Sequence, residues 1–241
     1  KVNYGVISLD PNSGAELLTL LEDAKAKQKS TGLVTTTFLT HATPAAFGAH
    51  ATSRSDYANI AGDYLGASRP NVLFGGGGNE LTIADSVAAG YDVATDLAGL
   101  NALDPDADPP ANTYFSAQIG TSHLDYVYDS LSTTYTQPML HEMVIKALDV
   151  LDNNSAKGFF MMVEGGRIDH ACHENELERA VHEVLGLDAA VAEILDWANG
   201  RDDTLVLLTA DHETGGLTVE TDYGVAGMYP DVSWTTGGHT A

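Results

Sequence analysis

Residues 158–163, GFFMMV, form a nearly continuous apolar run, and the ten residues that follow, EGGRIDHACH (164–173), carry carboxylate and imidazole side chains. A short apolar run without polar alternation predicts a central strand that is covered on both faces. Polar groups that come directly after such a strand lie at its carboxyl end, where parallel α/β sheets place their sites. This stretch therefore predicts both the fold class and the position of the functional groups.

Apolar runs and helical patterns alternate along the rest of the chain. Further strands are predicted at residues 1–10, 32–40, 71–74, 91–95 and 204–209, with the four glycines 75–78 ending the strand at 74. Helices are predicted at 41–50, over the stretch up to 89, at 137–151 and at 174–197, and a surface loop is predicted at 100–113. Strands separated by helices predict an α/β fold, a three-layer α/β/α sandwich with a mostly parallel central sheet.

Composition and charge narrow the class of protein. The 241 residues are 44% apolar and 19% charged, which excludes a disordered or collagen-like chain and leads us to expect a single domain. Eleven basic residues against 34 acidic ones give a net charge of −23, so nucleic acid and anionic membranes are disfavoured as partners. The single cysteine, Cys172, excludes an intrachain disulfide bond.

Potential metal ligands follow the ends of two predicted strands, and a third group lies near the end of the chain. Asp169 and His173 are four residues apart, so a helix would place them on one face, and their oxygen and nitrogen donors suit zinc. Asp211-His212 follows the run at 204–209, and His239 follows two glycines. Each group alone is compatible with a structural histidine or a solvated pair. Together they favour a metal site.

Four motifs resemble those of alkaline phosphatases. They are EGGRIDHACH (164–173), TADH (209–212), GGHTA (237–241), and THATPA (40–45) with HATSR (50–54). The likeness keeps the family's order from residue 1 to residue 241. It implies an alkaline-phosphatase-like catalytic domain over 1–241 that is incomplete at both ends, because the family's nucleophile motif and its final segment do not match any part of this chain.

The resemblance implies two zinc ions and one magnesium ion. The positions that match the ligands of the first zinc are Asp169, His173 and His239, and those that match the second are Asp211 and His212. Thr43 and Glu164 match magnesium ligands, and a carboxylate is an appropriate ligand for this hard cation.

The resemblance also implies phosphate binding. Arg54 matches the arginine that holds the substrate phosphate, for which a forked guanidinium is well suited. His41 and His170 fall at positions that vary among family members, so we expect them to tune phosphate affinity and metal preference without binding zinc directly.

The implied reaction is hydrolysis of phosphate monoesters by two-zinc phosphoryl transfer through a phosphoserine intermediate. Family members are usually exported homodimers, and the resemblance extends both expectations to this chain, as periplasmic or secreted. The sequence around Ser86 imitates the nucleophile motif superficially, but it falls where the family has an ordinary helix. Ser86 is therefore interpreted as a serine on a helix surface.

Two alternative functions stay open. One is a different hydrolase of the same superfamily, such as a phosphodiesterase or a sulfatase, although Arg54 and the Thr43 motif belong to the monoesterase pattern. The other is a protein that binds metal and phosphate without turnover, because the nucleophile motif is not matched in these residues.

Overall fold

The computed structural model describes residues 2–106, 113–132, 136–154 and 156–240. The chain divides into two compact units. Unit 1 comprises Lys1–Leu124 and Tyr135–Glu164, and unit 2 comprises Asp125–Thr134 and Gly165–Ala241. The single catalytic domain expected over 1–241 stays a prediction.

Unit 1 is built around a parallel five-stranded sheet. Its strands are β1 (Ser30–Phe38), β2 (Val72–Gly76), β3 (Asp92–Ala94), β4 (Phe115–Ile119) and β5 (Phe159–Glu164). Their order across the sheet is β3-β4-β2-β1-β5, and every pair is parallel. The mostly parallel sheet predicted from the sequence is therefore confirmed.

Helices connect these strands. In unit 1 they are α1 (Leu20–Ala26), α2 (Ala42–Gly48), α3 (Tyr57–Leu65), α4 (Ile83–Ala88), α5 (Leu97–Ala102) and α7 (Leu140–Asn154). The helix α5 occupies the start of the loop predicted at 100–113, because the Asp96 carboxylate caps it by accepting the Gly99 N–H at 2.7 Å. Residues 107–112 of that predicted loop lie outside the described residues.

Helices cover both faces of the sheet, which gives the three layers. All nine residues of β1 are buried, and successive side chains of a strand point to opposite faces. A Cβ atom on Gly32 would lie 2.9 Å from Leu151 of α7, whereas one on Gly48 of α2 would lie 3.2 Å from the Leu33 side chain. The helices α7 and α2 therefore pack on opposite sides of β1.

The glycines after residue 74 do not end strand β2 as predicted. The strand continues through Gly75 and Gly76, which pair with Gln118 and Ile119 of β4. A Cβ atom on Gly76 would lie 1.9 Å from the Ser122 carbonyl oxygen. Glycine at this position therefore permits a close backbone approach inside the sheet, where the sequence pattern suggested a turn.

The prediction that 158–163 is a central strand covered on both faces is wrong for the described residues. Strand β5 forms correctly but lies at one edge of the sheet, where it pairs with β1. Met162 is buried, while its neighbours in the strand are half-buried. Apolar composition indicates a strand but does not determine which strands flank it.

The predicted strand at 1–10 is also wrong for the described residues 2–10. Ile7 and Leu9 form isolated antiparallel bridges with Ala51 and Glu16, and no continuous ladder develops. The reason is local, since Gly5 and Ser8 have φ values of 73° and 48°, which interrupt an extended strand.

The regular elements described in unit 2 are mostly helices. It contains α6 (Val127–Ser130), α8 (Arg167–His173), α9 (Leu177–Ala198) and a two-stranded antiparallel ribbon of β6 (Thr218–Thr221) and β7 (Asp231–Ser233). The Tyr126 ring packs with Ala171 of α8 and Ala180 of α9 in a small buried cluster. The 22-residue α9 is the longest described helix, and no described helix combines the length and hydropathy needed to cross a membrane.

The predicted buried strand at 204–209 is wrong. These residues form no regular element in the structure, and Leu205, Leu207 and Leu208 are 80%, 81% and 68% exposed. Leucine and β-branched residues favour a strand only when a neighbouring strand supplies hydrogen bonds and a covering layer supplies contacts. Within unit 2 the described residues provide neither for this segment.

Candidate metal centre

Helix α8 brings together the first two predicted ligands. Asp169 and His173 are four residues apart, and the helix runs from Arg167 to His173, so both lie on one face. The Asp169 Oδ1 atom is 3.4 Å from His173 Nε2. The helical placement predicted from the spacing is confirmed.

His239 reaches the same carboxylate oxygen from the end of the chain. Its Nε2 atom is 3.5 Å from Asp169 Oδ1, and its ring centroid is 5.0 Å from that of His173. The His173 Nδ1 atom lies 2.6 Å from the Gly237 carbonyl oxygen, which can only accept, so Nδ1 carries the proton. The Nε2 atom of His173 faces Asp169.

His212 completes a compact set of donors. Its ring is stacked on that of His239, with centroids 3.8 Å apart, and its Nε2 atom is 3.2 Å from Asp211 Oδ2. One donor atom from each of Asp169, His212 and His239 lies within 4.8 Å of the others. Carboxylate oxygen and imidazole nitrogen are common zinc ligands, so the donor set fits a zinc ion.

The compact set combines residues that the resemblance assigned to different ions. Asp169 and His239 match the first zinc, and His212 matches the second. Asp169 is half-buried, whereas the two imidazoles are exposed. The structure brings all five predicted zinc ligands into unit 2, and their division between two ions stays a prediction.

Hydrogen bonding keeps Asp169 ionised. Burial alone would raise the pKa of its carboxyl group, but the Thr214 hydroxyl and the imidazoles of His173 and His212 outweigh burial and lower the pKa below its ordinary value. The pKa of His170 is lowered by burial and by the charge of Arg167, whose Nη1 atom is 3.0 Å from His170 Nδ1. His170 therefore contacts Arg167 next to the predicted zinc ligands.

Thr214 is a residue that the sequence reasoning missed. Its hydroxyl donates to Asp169 Oδ1 at 2.5 Å, and its side chain is largely buried. The signal available in the sequence was its place two residues after His212, in the turn that follows a ligand pair. That signal alone could not identify Asp169, 45 positions earlier, as its partner.

The remaining predicted site residues lie in unit 1. Glu164 ends β5, and its Oε2 atom accepts a hydrogen bond from the Thr35 hydroxyl at 2.6 Å. Thr43 is the second residue of α2, two positions after the N-cap residue His41. The Arg54 guanidinium lies 3.2 Å from His41 Nε2, so the structure brings these two predicted phosphate-site residues together.

The structure also shows the surroundings of two further residues, His123 and Ser86. His123, which sequence reasoning interpreted as a structural or surface histidine, lies beside His41 with ring centroids 5.6 Å apart and accepts a hydrogen bond from the Phe38 N–H at 3.3 Å. Ser86 is fully buried and accepts a hydrogen bond from Gln118 at 2.7 Å, which corrects its interpretation as a surface serine. A buried, hydrogen-bonded hydroxyl in α4 is a structural group.

Sequence comparisons show that the chain is similar to alkaline phosphatases. A family model described as alkaline phosphatase matches residues 1–99 and 119–235. Alkaline phosphatase 4 of Bacillus subtilis (strain 168) is 37% identical over 230 residues, which cover 91% of this chain and 47% of the relative. The repressible alkaline phosphatase of Saccharomyces cerevisiae is 32% identical over 262 residues, covering 95% and 45% of the two chains. The chain thus spans about half the length of these curated relatives.

Solved structures agree with the sequence matches. The cold-active alkaline phosphatase of Shewanella sp. superposes with a TM-score of 0.80 at 34% identity, over 92% of this chain and 53% of that one. The alkaline phosphatase of the Antarctic bacterium TAB5 gives 0.83 at 27% identity, over 100% and 70%. A TAB5 variant with magnesium bound in its M3 site gives 0.81 at 28% identity, over 98% and 69%. Because the family model and the relatives cover most of its residues, the chain belongs to the alkaline phosphatase family.

Proposed function

We propose that this protein hydrolyses phosphate monoesters with the help of bound zinc. The observation that carries the proposal is the convergence of Asp169, His212 and His239, whose donor atoms lie within 4.8 Å of one another. Membership of the alkaline phosphatase family supports the substrate class.

The residues of unit 2 are suited to hold a divalent cation. A zinc ion bound there would supply Lewis-acid stabilisation of the charge that develops on the phosphate ester and its leaving group. Asp169 contributes the negative charge, and the lowering of its pKa extends the ionised form to more acidic solution. Hydrogen bonding of His173 Nδ1 to the Gly237 carbonyl holds this imidazole with Nε2 toward Asp169.

Arg54 is proposed to bind the substrate phosphate. Its guanidinium presents paired N–H donors that match two phosphate oxygens, and its positive charge offsets the charge of the ester. The His41 ring, 3.2 Å from the guanidinium, limits the orientations that the Arg54 side chain can adopt. His41 and His170 are proposed to tune phosphate affinity.

The metal complement is proposed to be two zinc ions and one magnesium ion. Asp169, His173 and His239 would hold the first zinc, and Asp211 and His212 would contribute to the second. For magnesium we propose Glu164 and Thr43, and the TAB5 variant with magnesium in its M3 site supports such an ion in the family. The Thr35 hydroxyl on Glu164 Oε2 fixes the orientation of that carboxylate.

Three further properties are proposed from the family pattern alone. The reaction would proceed through a phosphoserine intermediate, the protein would form a homodimer, and it would be exported to the periplasm or secreted. No nucleic-acid partner is expected for a protein with a net charge of −23. Light scattering coupled to size-exclusion chromatography tests the dimer directly.

The proposed activity is tested on the protein as isolated, with its mass and its metal content measured on the same sample. We expect bound zinc and magnesium, and turnover of p-nitrophenyl phosphate well above that of bis-p-nitrophenyl phosphate. The His239→Ala variant should lose zinc and turnover together, while His141→Ala, which alters a half-buried histidine of α7, serves as the matched control.

Three outcomes would contradict the proposal. Preferred hydrolysis of the diester, or of a sulfate ester, would assign the protein to another superfamily hydrolase. Tight binding of zinc and phosphate with background hydrolysis would establish a binding protein without turnover. Unchanged zinc content in His239→Ala would remove His239 from the metal site.

A further inference from the structure

The Thr214 hydroxyl connects two members of the compact donor set. It donates to Asp169 Oδ1 at 2.5 Å, and the same hydroxyl lies 3.3 Å from His212 Nδ1. Asp169 Oδ1 is also the oxygen that faces the Nε2 atoms of His173 and His239, at 3.4 and 3.5 Å. A carboxylate oxygen has two lone pairs. The Thr214 hydroxyl uses one lone pair, which leaves the other for a further partner.

The direction of these hydrogen bonds follows from the acceptors. His212 Nδ1 lies 3.3 Å from the Glu213 carbonyl oxygen, which can only accept, so Nδ1 carries the proton. The Thr214 oxygen is then an additional acceptor for Nδ1–H, and its own proton points to Asp169. In this arrangement Nδ1 of His212 is engaged by oxygen atoms of the turn, and Nε2 is the ring nitrogen on the side of Asp211.

Glu213 makes a parallel connection to the segment that carries His239. One of its carboxylate oxygens accepts the Gly216 N–H. The other accepts the backbone N–H of Thr240 at 3.1 Å and also the Thr240 hydroxyl. Thr240 directly follows His239. The Glu213 carboxylate therefore links the turn after His212 to the segment that carries His239.

The backbone of the turn strengthens this connection. Gly215 N–H donates to the Gly238 carbonyl at 2.8 Å, and Gly215 O accepts N–H groups of Thr235 and Thr236. Gly215 has a φ of 92°, and a Cβ atom there would lie 2.6 Å from the Trp234 ring. The turn can therefore approach the His239 segment this closely only with glycine at this position.

We propose that Glu213 and Thr214 are the positioning residues of the metal centre: Thr214 orients Asp169, and Glu213 holds the His239 segment beside His212. The inference rests on the zinc site of the proposed function and deepens it. Outer hydrogen-bond partners of metal ligands typically change metal affinity by about 10- to 100-fold when they are removed. We expect that range for the loss of the Thr214 hydroxyl.

The test measures zinc affinity by competition with a chromogenic chelator, and the visible absorption spectrum of the cobalt-substituted protein reports ligand geometry. Thr214→Val keeps the shape and removes the hydroxyl, so it should weaken zinc binding and alter the spectrum. Thr214→Ser should restore both. Thr218→Val, at an exposed position of β6, is the matched control and should behave as the parent.

Glu213→Gln provides a second variant on the exposed side of the turn, where folding is least at risk. In the parent protein both carboxylate oxygens of Glu213 accept hydrogen bonds, whereas the amide of the variant has only one acceptor oxygen. We expect zinc binding to weaken by about 2- to 10-fold, the range of a lost exposed hydrogen bond. The circular dichroism spectrum of the folded protein should stay unchanged.

The outcomes separate this inference from the proposed function. Parent-like zinc affinity and cobalt spectra in both Thr214→Val and Glu213→Gln would overturn the positioning role and leave the proposed hydrolysis standing. A second outcome is that the parent binds zinc but does not hydrolyse esters, and that the variants bind zinc more weakly. This result would support the positioning role and overturn the proposed hydrolysis. A parent that binds no zinc would overturn both.

Discussion

Asp169 receives contacts from three directions, and each has a different structural origin. His173 reaches it through the helix repeat of α8, His239 through the end of the chain, and Thr214 through a turn. The carboxylate carries the single formal negative charge of the compact donor set, because the two imidazoles of that set are neutral ligands. A divalent cation there would bring the group to a net charge of +1, which suits binding of an anionic ester.

Arg54 allows a test of the phosphate role at the level of one residue. Replacing Arg54 with alanine should weaken inhibition by inorganic phosphate by roughly 10- to 100-fold, because hydrogen bonds between charged groups contribute about 1.5–3 kcal/mol. Metal content should stay unchanged. The Arg201→Ala variant, whose guanidinium lies over the Trp197 ring, is the control. Loss of metal from Arg54→Ala would show that the residue has a structural role.

At the scale of elements, α6, α8 and α9 are joined by a charged cluster around one aromatic ring. The guanidinium groups of Arg167 and Arg179 lie 3.6 and 4.6 Å from the centroid of the Tyr126 ring, within the range of cation–π attraction. Glu183 of α9 is 3% exposed and accepts the Val127 N–H of α6 at 2.8 Å. These contacts hold together the helical part of the unit that carries the candidate metal centre.

Glu183 should make the stability of this cluster depend on pH. Burial raises the pKa of its carboxyl group above the ordinary value, although the Val127 N–H and Arg167 act in the opposite direction. The folded state then binds more protons than the unfolded state, so the free energy of unfolding falls as pH rises from the ordinary pKa through the raised one. Glu183→Gln keeps an acceptor for Val127 and abolishes this loss.

The measurement is chemical denaturation of parent and variant from pH 4 to pH 8. We expect the parent to lose stability relative to Glu183→Gln as the pH rises, while contributions from all other groups cancel in the difference. Asp188→Asn, an exposed change on the same helix, should give a curve parallel to that of the parent. A constant difference between parent and Glu183→Gln would refute the buried ionisation.

Leucines in different segments should contribute very different amounts to the free energy of unfolding. In the 241-residue polypeptide, Leu33→Ala in β1 should lower the free energy of unfolding by about 2–5 kcal/mol, because the side chain is fully buried. Leu205→Ala should change it by less than about 0.5 kcal/mol, since that side chain is 80% exposed. Urea denaturation measures both, and a large loss in Leu205→Ala would show that the segment 204–209 is buried.

At the scale of the whole molecule, the charge is the dominant property. Eleven basic and 34 acidic residues leave a net charge of −23, and like charges spread over one protein repel in the compact state more than in the expanded one. Salt shortens the range of this repulsion from ~10 Å at 0.1 M to ~3 Å at 1 M. We therefore expect the protein to be stabilised by added salt.

This expectation is tested by thermal unfolding of the metal-loaded protein from 0.05 to 1 M sodium chloride. The melting temperature should rise, most steeply below about 0.2 M, where screening changes fastest. Potassium chloride at equal ionic strength should give the same curve, because screening depends on ionic strength and not on the identity of the cation. A melting temperature that stays flat or falls would rule out self-repulsion as a significant destabilising effect.

Local patterns predicted much of the fold and the placement of two candidate ligands on one helix face. The i, i+4 spacing of Asp169 and His173 needs only helix geometry, and the strands β1 and β5 follow from apolar runs. The order of those strands could not be obtained in this way, because hydrogen-bonded partners are chosen by the whole sheet. The exposure of residues 204–209 shows the same limitation, since burial depends on neighbours that are distant in the sequence.

The sequence by itself thus determined the α/β class, the helix that pairs Asp169 with His173, and the residue types able to bind zinc. Only the tertiary structure brought His212 and His239 to Asp169 and revealed Thr214 and Glu213 as their partners. The physical reason is the range of the interactions. Helix repeats and turn preferences act over a few residues. The compact donor set instead joins residues that are far apart in the sequence, as Asp169 and His239 are separated by 70 positions.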